Sequence, residues 1–447
     1  MNPFANHRIT VKLSALKAGV FLSYLLVALS SSSAFAAPDL VIKAEKAGAV
    51  YQAGETITWR VELRGGGADI KEASYVIKKA GASVHHQGTV TLSGGAGTVQ
   101  TKLDQPGTLL LEVVAKVPGA KEIRALGGAA IAPEKIPPSS PCPEDFDAFW
   151  KGKLDELAKV PANPVLEQGK SGKDGVDYWK ITMDNIRGTH IRGQLARPAQ
   201  GAKLPAMLVV QWAGVYGLNQ GFATGPAAEG WLTLNITAHD LPIDEPESFY
   251  KQQNDGPLKN YTAIGNDDRE KSYFLRMFLA CYRAVEYLAQ RPDWDGKTLI
   301  VTGTSQGGLQ TFVTAGLNHK VTALLALVPA GCDNTGGLAD RKPGWPYWMA
   351  NVAGKDEKKA LNTSRYFDGV NFAARIKCPA LVGLGLIDTT SPPSGVYAAF
   401  NLMQGPKETV VLPDSDHRGK NNTQAPYSAR ASVWRKALLA GSPPPVK

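Results

Sequence analysis

The sequence predicts an α/β protein in which a small β-sandwich precedes a mostly parallel sheet with helices on both faces. Two observations predict it. From about residue 175, largely apolar strand candidates alternate with helical patterns, which is typical of parallel strands buried on both faces. Between residues 38 and 130, short runs of alternating polar and apolar residues are separated by Gly-rich turns, which favours an immunoglobulin-like sandwich.

The first part of the chain after residue 37 is predicted to be all β. The strand candidates are 55–63, 74–77, 98–103 and 108–117. Residues 131–143 then form a predicted linker, because five prolines within it prevent a continuous helix or central strand. The domain boundaries are therefore placed at 38–130 for the sandwich and at 144–442 for the α/β domain.

The α/β domain is predicted to begin with a helix. Residues 144–160 and 271–290 have helical spacing of apolar side chains. The predicted strands of this domain are 205–211, 231–237, 298–303, 323–328, 380–385 and 408–412.

Residues 1–36 are predicted to be a signal peptide that is cleaved near Ala36. Basic residues precede an apolar run at 18–29, and Ala34-Phe35-Ala36 provides the small residues of a cleavage site. The apolar run is too short to span a bilayer, which takes roughly 20 residues. We therefore expect a periplasmic or secreted protein without a membrane anchor.

The composition argues against two other classes of protein. The net charge of +9 is spread along the chain rather than gathered in a stripe, so no nucleic acid partner is expected. The four cysteines do not form a CxxC pair and no HExxH motif is present, so no metal site is predicted. Export permits disulfides, and the pairing among Cys142, Cys281, Cys332 and Cys378 stays open.

The segment 299–308 carries the strongest chemical signal. A hydrophobic strand runs into Gly303-x-Ser305-x-Gly307, and a helix-compatible stretch follows at 309–317. This strand, turn and helix are what a nucleophile elbow requires, with glycines where the neighbouring chain comes close. The sequence thus predicts an α/β-hydrolase fold with Ser305 as its nucleophile.

The partners of this serine follow it in the order that the fold requires, acid before base. Asp388 stands directly after the strand 380–385, and His417 comes after the strand 408–412. His319 precedes the acid, while Asp414 and Asp416 are expected only to shape the histidine loop. Asp388 would orient His417, which would take the proton of the Ser305 hydroxyl.

The tetrahedral intermediate of such a reaction needs hydrogen-bond donors for its oxyanion. We expect the backbone N–H of Gln306 to supply one, and that of Ala213 or Gly214, after the strand 205–211, to supply the other. Candidate residues of the substrate pocket are His239, Trp345 and Trp348. Packing or a structural hydrogen bond is the alternative for each of these three.

Residues 140–440 resemble the acetyl xylan esterase and cephalosporin C deacetylase family, carbohydrate esterase family seven. The resemblance rests on Asp145-Phe-Asp-Ala-Phe-Trp150, Gly303-Thr-Ser-Gln-Gly307, the run from Asn371 to Asp388, Ser391-Pro-Pro393, and Gly405-Pro-Lys-Glu408. It implies removal of acetyl groups from acetylated oligo- or polysaccharides, with neither a metal nor an organic cofactor. The oligomeric state is left open.

The chain departs from the family pattern at three places. The family has Arg-Gly-Gln where this chain has Ala238-His239-Asp240, although Arg192-Gly193-Gln194 occurs earlier in a predicted hairpin. Arg418 stands where the family has Glu after the histidine, and the N-terminal β domain is an addition. The acyl and sugar preferences therefore remain open. A serine hydrolase of another specificity (a larger-acyl esterase or a peptidase) and a carbohydrate-binding protein with a vestigial site are the alternatives.

Overall fold

The computed structural model of the protein describes residues 37–65, 70–117 and 121–447. The predicted signal peptide at 1–36 lies outside the described residues. The N-terminal part of the described chain is rich in β structure. Its strands are β1 (Asp39–Ala44), β2 (Val50–Tyr51), β3 (Ile57–Arg64), β4 (Glu72–Lys79), β5 (Val84–Thr91), β6 (Ala96–Thr101), β7 (Gly107–Ala115) and β8 (Ile123–Ile131).

These strands form two sheets, with the orders β1-β3-β6 and β2-β8-β7-β4-β5. Because side chains alternate along a strand, each sheet presents one apolar face. Ile42 and Trp59 of the smaller sheet and Leu111 of the larger sheet are buried in one hydrophobic cluster. We refer to residues 39–131 as the N-terminal β-rich region.

The second part of the chain alternates helices and strands. Its helices are α1 (Phe146–Ala158), α2 (Gly221–Glu229), α3 (Glu247–Asp255), α4 (Tyr273–Gln290), α5 (Gln306–Leu317), α6 (Glu357–Tyr366), α7 (Gly369–Ala373), α8 (Pro393–Leu402) and α9 (Ala425–Leu439). Its strands are β9 (Val165–Gly169), β10 (Val176–Asp184), β11 (His190–Pro198), β12 (Leu204–Val210), β13 (Leu232–Ile236), β14 (Trp294–Thr304), β15 (Ala323–Leu327), β16 (Ala380–Gly385) and β17 (Lys407–Leu412).

These strands form one nine-stranded sheet in the order β17-β16-β15-β14-β12-β13-β11-β10-β9. Strands β12 to β17 pair in parallel, as predicted. Strands β12, β15 and β16 consist of apolar residues and glycine, as expected for strands that helices cover on both faces. The antiparallel extension β9–β11 was not predicted as part of this sheet. The α/β-hydrolase fold is confirmed.

The long helix α4 illustrates how the sheet is covered. Twelve of its residues are buried, and the buried set includes Arg283. The Arg283 guanidinium donates to the carbonyls of Leu157, Val160 and Asp184, so its charge is hydrogen-bonded where it is removed from water. Among the described residues, no helix combines the length and the apolar character that crossing a membrane requires.

Candidate active site

The turn between β14 and α5 has the geometry of a nucleophile elbow. Ser305 has a positive φ of 61°, which is costly for a residue with a side chain and is typical of strained functional turns. A Cβ at Gly303 would lie 2.5 Å from the backbone of Gly307, and one at Gly307 would lie 2.7 Å from the carbonyl oxygen of Val210. Only glycine therefore fits at either position, and the turn projects Ser305 from the carboxyl end of β14.

The structure brings the three predicted catalytic side chains into hydrogen-bonding contact. Ser305 Oγ lies 2.8 Å from Nε2 of His417, and His417 Nδ1 lies 2.7 Å from Oδ2 of Asp388. Nδ1–H donates to the carboxylate, so Nε2 is left to accept the hydroxyl proton of Ser305. This arrangement can turn the hydroxyl into a nucleophile.

Asp388 is held by more than the histidine. Its side chain is fully buried, and its other oxygen, Oδ1, accepts from the backbone N–H groups of Thr390 and Ser391, each at 2.8 Å. These donors satisfy a carboxylate that burial would otherwise destabilise. They also fix which of its oxygens faces His417.

A second carboxylate, that of Asp416, lies in the loop that carries His417 and accepts hydrogen bonds from its backbone. Asp416 Oδ1 accepts from the backbone N–H groups of Arg418 and Lys420, at 3.0 and 3.2 Å. Gln424 donates to the His417 carbonyl at 3.2 Å. Asp416 therefore shapes the loop, as predicted from the sequence.

The loop after β12 lies beside the elbow. Parallel pairing puts Val210 opposite Gly303, so Trp212 and the residues after it continue at the level of Ser305. This is the loop that holds Ala213 and Gly214, the predicted donors to the oxyanion. Gln306, the other predicted donor, follows Ser305 at the first position of α5 and is fully buried.

His239 lies beneath this loop rather than open to a substrate. It is 3 % exposed, and its Nε2 lies 2.9 Å from the carbonyl oxygen of Gly214 while its Nδ1 lies 2.6 Å from the hydroxyl of Tyr273. Nε2–H must donate because a carbonyl only accepts, and Nδ1 then accepts from Tyr273. The structure therefore favours the structural alternative for His239.

Two tyrosines, Tyr261 and Tyr273, contact His239, and Tyr261 also contacts Gln306 beside the nucleophile. Tyr261 packs edge-on against His239 and donates its hydroxyl to Oε1 of Gln306 at 2.5 Å. Tyr273 in turn accepts a hydrogen bond from Arg276. Neither tyrosine was predicted from the sequence, because they lie in a short 3-10 helix and at the start of α4, far along the chain from the residues that they contact.

Burial sets the ionisation state of His239. The pKa of His239 is lowered to about 4, chiefly by desolvation; the hydrogen bond to the Gly214 carbonyl opposes this shift and the positive charge of Arg276 adds to it. His239 is therefore neutral at neutral pH, as the bond from Tyr273 requires.

The predicted aromatic cluster is placed largely in the core. Trp348 is 2 % exposed, stacks on both Phe274 and Phe367, and donates its indole N–H to the Asn266 carbonyl. Trp345 packs edge-on against Phe274. Trp348 is buried against Phe274 and Phe367, so we do not assign it to substrate stacking.

Another aromatic pair lies beside the site, and one of its two rings is exposed. Trp212 is 41 % exposed and stacks on Tyr216 with ring centroids 5.5 Å apart, while Phe222 packs against its edge. Next to the pair lies a groove of about 500 Å³. Its lining includes Tyr216, Asn219, Asp244, Glu247, Tyr250 and Lys251.

Two observations concern metals and thiols. Within residues 37–65, 70–117 and 121–447, no three His, Cys, Asp or Glu side chains are grouped so as to hold a metal ion. All four cysteines are free thiols.

Comparisons with known proteins point to one family. Residues 134–434 match the family described as acetyl xylan esterase (AXE1). The chain is also 34% identical to acetyl esterase Axe7A of Xylanibacter ruminicola over 351 residues, which covers 77% of this chain and 79% of that protein.

Solved structures support the same fold. An acetyl xylan esterase from Paenibacillus sp. R4 superposes with a TM-score of 0.58 at 24% identity, covering 69% of this chain and 98% of that one. Acetyl xylan esterase 1 from Thermoanaerobacterium sp. JW/SL YS485 gives 0.57 at 22% identity, covering 66% and 96%. The similarity that the sequence motifs indicated is thereby confirmed.

Proposed function

Since the chain belongs to the acetyl xylan esterase family, we propose that it removes acetyl groups from acetylated carbohydrates, with Ser305 as the nucleophile. The protein is a carboxylic ester hydrolase. The observation that carries the proposal is the continuous contact from Ser305 Oγ through His417 to Asp388, with distances of 2.8 and 2.7 Å. Nucleophile, base and orienting acid are all present in this contact.

In the first half of the reaction, Ser305 Oγ attacks the carbonyl carbon of the acetyl ester. His417 Nε2 takes the hydroxyl proton, and the negative charge of Asp388 stabilises the imidazolium that forms. The carbonyl oxygen becomes an oxyanion, for which the N–H groups of Gln306 and of Ala213 or Gly214 are the proposed donors. The ester C–O bond then breaks, and His417 delivers its proton to the departing sugar hydroxyl.

In the second half, a water molecule replaces the sugar. His417 takes a proton from the water, whose oxygen attacks the acetyl carbon bound to Ser305. The second tetrahedral intermediate collapses to acetic acid as the proton on His417 returns to Ser305 Oγ, and the released acid loses its proton to water to give acetate. No step needs a metal or an organic cofactor.

The exposed ring of Trp212, which stacks on Tyr216, supports a carbohydrate as the alcohol half of the ester. Aromatic faces suit the apolar C–H faces of sugar rings, and the hydroxyls of a sugar need polar partners. The pair lies next to the proposed oxyanion loop, and Asp244, Glu247 and Lys251 line the adjoining groove. We propose that the sugar neighbouring the acetylated position contacts Trp212.

Acetate release from a panel of acetylated polysaccharides tests this function, with butyryl esters and aryl-peptide reporters measured alongside. The proposal expects acetylated oligosaccharides to be turned over, and acetyl esters faster than butyryl esters. Butyryl turnover equal to acetyl turnover would favour the larger-acyl esterase, and peptide cleavage would favour the peptidase. No turnover of any ester would favour a binding protein with a vestigial site.

We further propose that the protein is exported by a signal peptide at residues 1–36. The basic residues, the apolar run 18–29 and Ala34-Phe35-Ala36 support this. N-terminal sequencing of the protein recovered from outside the cytoplasm tests it. A mature chain that begins near residue 37 is expected, and a chain retained in the cytoplasm with an intact N-terminus would contradict the proposal.

A further inference from the structure

The N-terminal β-rich region lies outside the segment that matches the family, yet it contacts the part of the hydrolase that carries Asp388. We call residues 386–392, between β16 and α8, the acid segment. Leu386 is 2 % exposed and belongs to the same hydrophobic cluster as Ile42 and Trp59 of the β-rich region. The two parts of the chain therefore share one core.

The closest approach is made by Gly128 on β8. A Cβ at this position would lie 2.4 Å from Leu386 Cβ and 2.5 Å from the Leu386 carbonyl oxygen, so only glycine lets the two backbones meet. The position of Gly128 is fixed within the β-rich region, because its carbonyl accepts a hydrogen bond from the Trp59 indole at 3.2 Å. This contact is two residues before Asp388.

A second contact reaches the acid segment through residues 340–345. The backbone N–H of Lys342 donates to the Ala80 carbonyl at 3.1 Å, and Ser83 donates to the carboxylate of Asp340. At the other end of this stretch, the N–H of Trp345 donates to the Thr390 carbonyl at 2.8 Å.

Thr390 is one of the two residues whose N–H groups hold Asp388 Oδ1. The turn between β4 and β5 is thus connected to the catalytic carboxylate through a short series of hydrogen bonds. Asp388 also lines a cavity of about 20 Å³, room for about one water molecule, together with Ala80, Gly81 and Thr108.

We propose that the N-terminal β-rich region is a positioning element of the active site, which holds the acid segment so that Asp388 meets His417. The inference rests on the proposed role of Asp388. It predicts that a small displacement at Gly128 lowers turnover without unfolding the protein, because misplacing a catalytic group by about 1 Å can cost up to about 100-fold in rate.

Two glycines of the β-rich region provide a matched experiment, because a Cβ at either would meet a backbone carbonyl oxygen. At Gly97 on β6 it would lie 2.3 Å from the Thr91 carbonyl oxygen and 2.7 Å from Val90, both inside the β-rich region. At Gly128 it would meet Leu386 of the acid segment. Gly97→Ala therefore perturbs contacts within the β-rich region, and Gly128→Ala perturbs its contact with the acid segment.

The variants are compared in the full chain by kcat and KM on a small acetyl ester, by thermal unfolding, and by the downfield proton NMR signal of the His417–Asp388 hydrogen bond. We expect Gly128→Ala to lower kcat about 10- to 100-fold, to leave KM within about two-fold, and to shift the NMR signal. Gly97→Ala is expected to lower the Tm but to keep kcat and the NMR signal.

Equal losses of kcat in both variants, or full kcat in Gly128→Ala, would overturn the inference. If Gly128→Ala does not fold, Ser83→Ala takes its place. This variant removes only the hydrogen bond to Asp340 and is expected to lower kcat about two- to five-fold at unchanged Tm; unchanged kcat there also overturns the inference. Failure of the proposed function is distinguishable, because an inactive wild type or an active Ser305→Ala variant would reveal it.

Discussion

His417 Nδ1 lies 2.7 Å from Asp388 Oδ2, and the opposite oxygen of the same carboxylate is occupied by two backbone N–H groups. The carboxylate cannot rotate without losing those donors. Because a carboxylate can only accept, the nitrogen that faces it must carry the proton, which leaves His417 with Nδ1 protonated and Nε2 free to accept.

Replacing Asp388 by Asn should reverse that tautomer. The donors from Thr390 and Ser391 would keep the amide oxygen where Oδ1 lies, so the amide NH₂ would face His417 and force Nδ1 to accept. Nε2 would then carry the proton and could not accept from Ser305. We expect Asp388→Asn to lower kcat about 10³- to 10⁴-fold with the fold intact, measured by acetyl ester hydrolysis and circular dichroism.

Asp416→Asn is the matched control. Its carboxylate belongs to the same histidine loop, but it accepts from Arg418 and Lys420 rather than from the imidazole. We expect this variant to lose less than about ten-fold in kcat, the scale of one weakened hydrogen bond. A larger loss in Asp416→Asn than in Asp388→Asn would mean that the acid has been assigned wrongly.

The burial of His239 predicts a pH dependence of stability. Its pKa in the folded protein is about 4, below the ordinary value of about 6.5. Between these pH values the unfolded chain binds a proton that the folded chain does not, so the free energy of unfolding falls as the pH falls from about 6.5 to 4. This residue alone should account for about 2 to 3 kcal/mol.

Urea unfolding of the wild type and of His239→Gln at pH 7.5 and pH 4.5 measures this contribution. The difference between the two pH values should be smaller in His239→Gln by that amount. His319→Gln, the same substitution at an exposed histidine, is the control for the exchange of side chain itself. An identical pH dependence in His239→Gln and the wild type would mean that His239 is not buried as a neutral side chain.

The exposed ring of Trp212 predicts a dependence on substrate size. Trp212→Ala should raise KM for acetylated oligosaccharides about 5- to 100-fold, the range of about 1 to 3 kcal/mol for a lost aromatic contact. It should change KM for a small aryl acetate less than about two-fold, since that ester has no neighbouring sugar. Trp345→Ala is the control, because this partly buried ring packs against Phe274. It should change KM for the oligosaccharide and for the aryl acetate by similar factors. Equal effects of Trp212→Ala on both substrates would contradict the proposed sugar contact.

The residues of the proposed triad were predictable from the sequence because each follows a strand. An apolar run, a turn and an ordered position along the chain are local signals, and parallel strands bring their carboxyl ends together. Ser305, Asp388 and His417 could thus be placed at one edge of the sheet before any coordinates were known.

Contacts between segments that are distant along the chain could not be predicted from such local signals. Trp348 and Trp212 are both aromatic residues in loop-like sequence. Whether each is buried or exposed depends on which distant segments pack against it in the folded protein. The same holds for Gly128: the strand pattern accommodates a glycine, but nothing local indicates that Leu386 lies against it. The antiparallel extension β9–β11 was not predicted as part of the sheet, because the residue pattern of a strand does not show which other strand it will pair with.

The measurement that tests the account most directly is acetate release by Ser305→Ala, beside the wild type, from an acetylated oligosaccharide and from a small acetyl ester. The account predicts a loss of at least about 10⁴-fold in kcat on both substrates, with the Tm preserved, because base and acid alone cannot form the acyl-enzyme. It also predicts that a fluorophosphonate labels the wild type once, at Ser305, and does not label the variant. Retention of turnover within about ten-fold of the wild type would contradict the account.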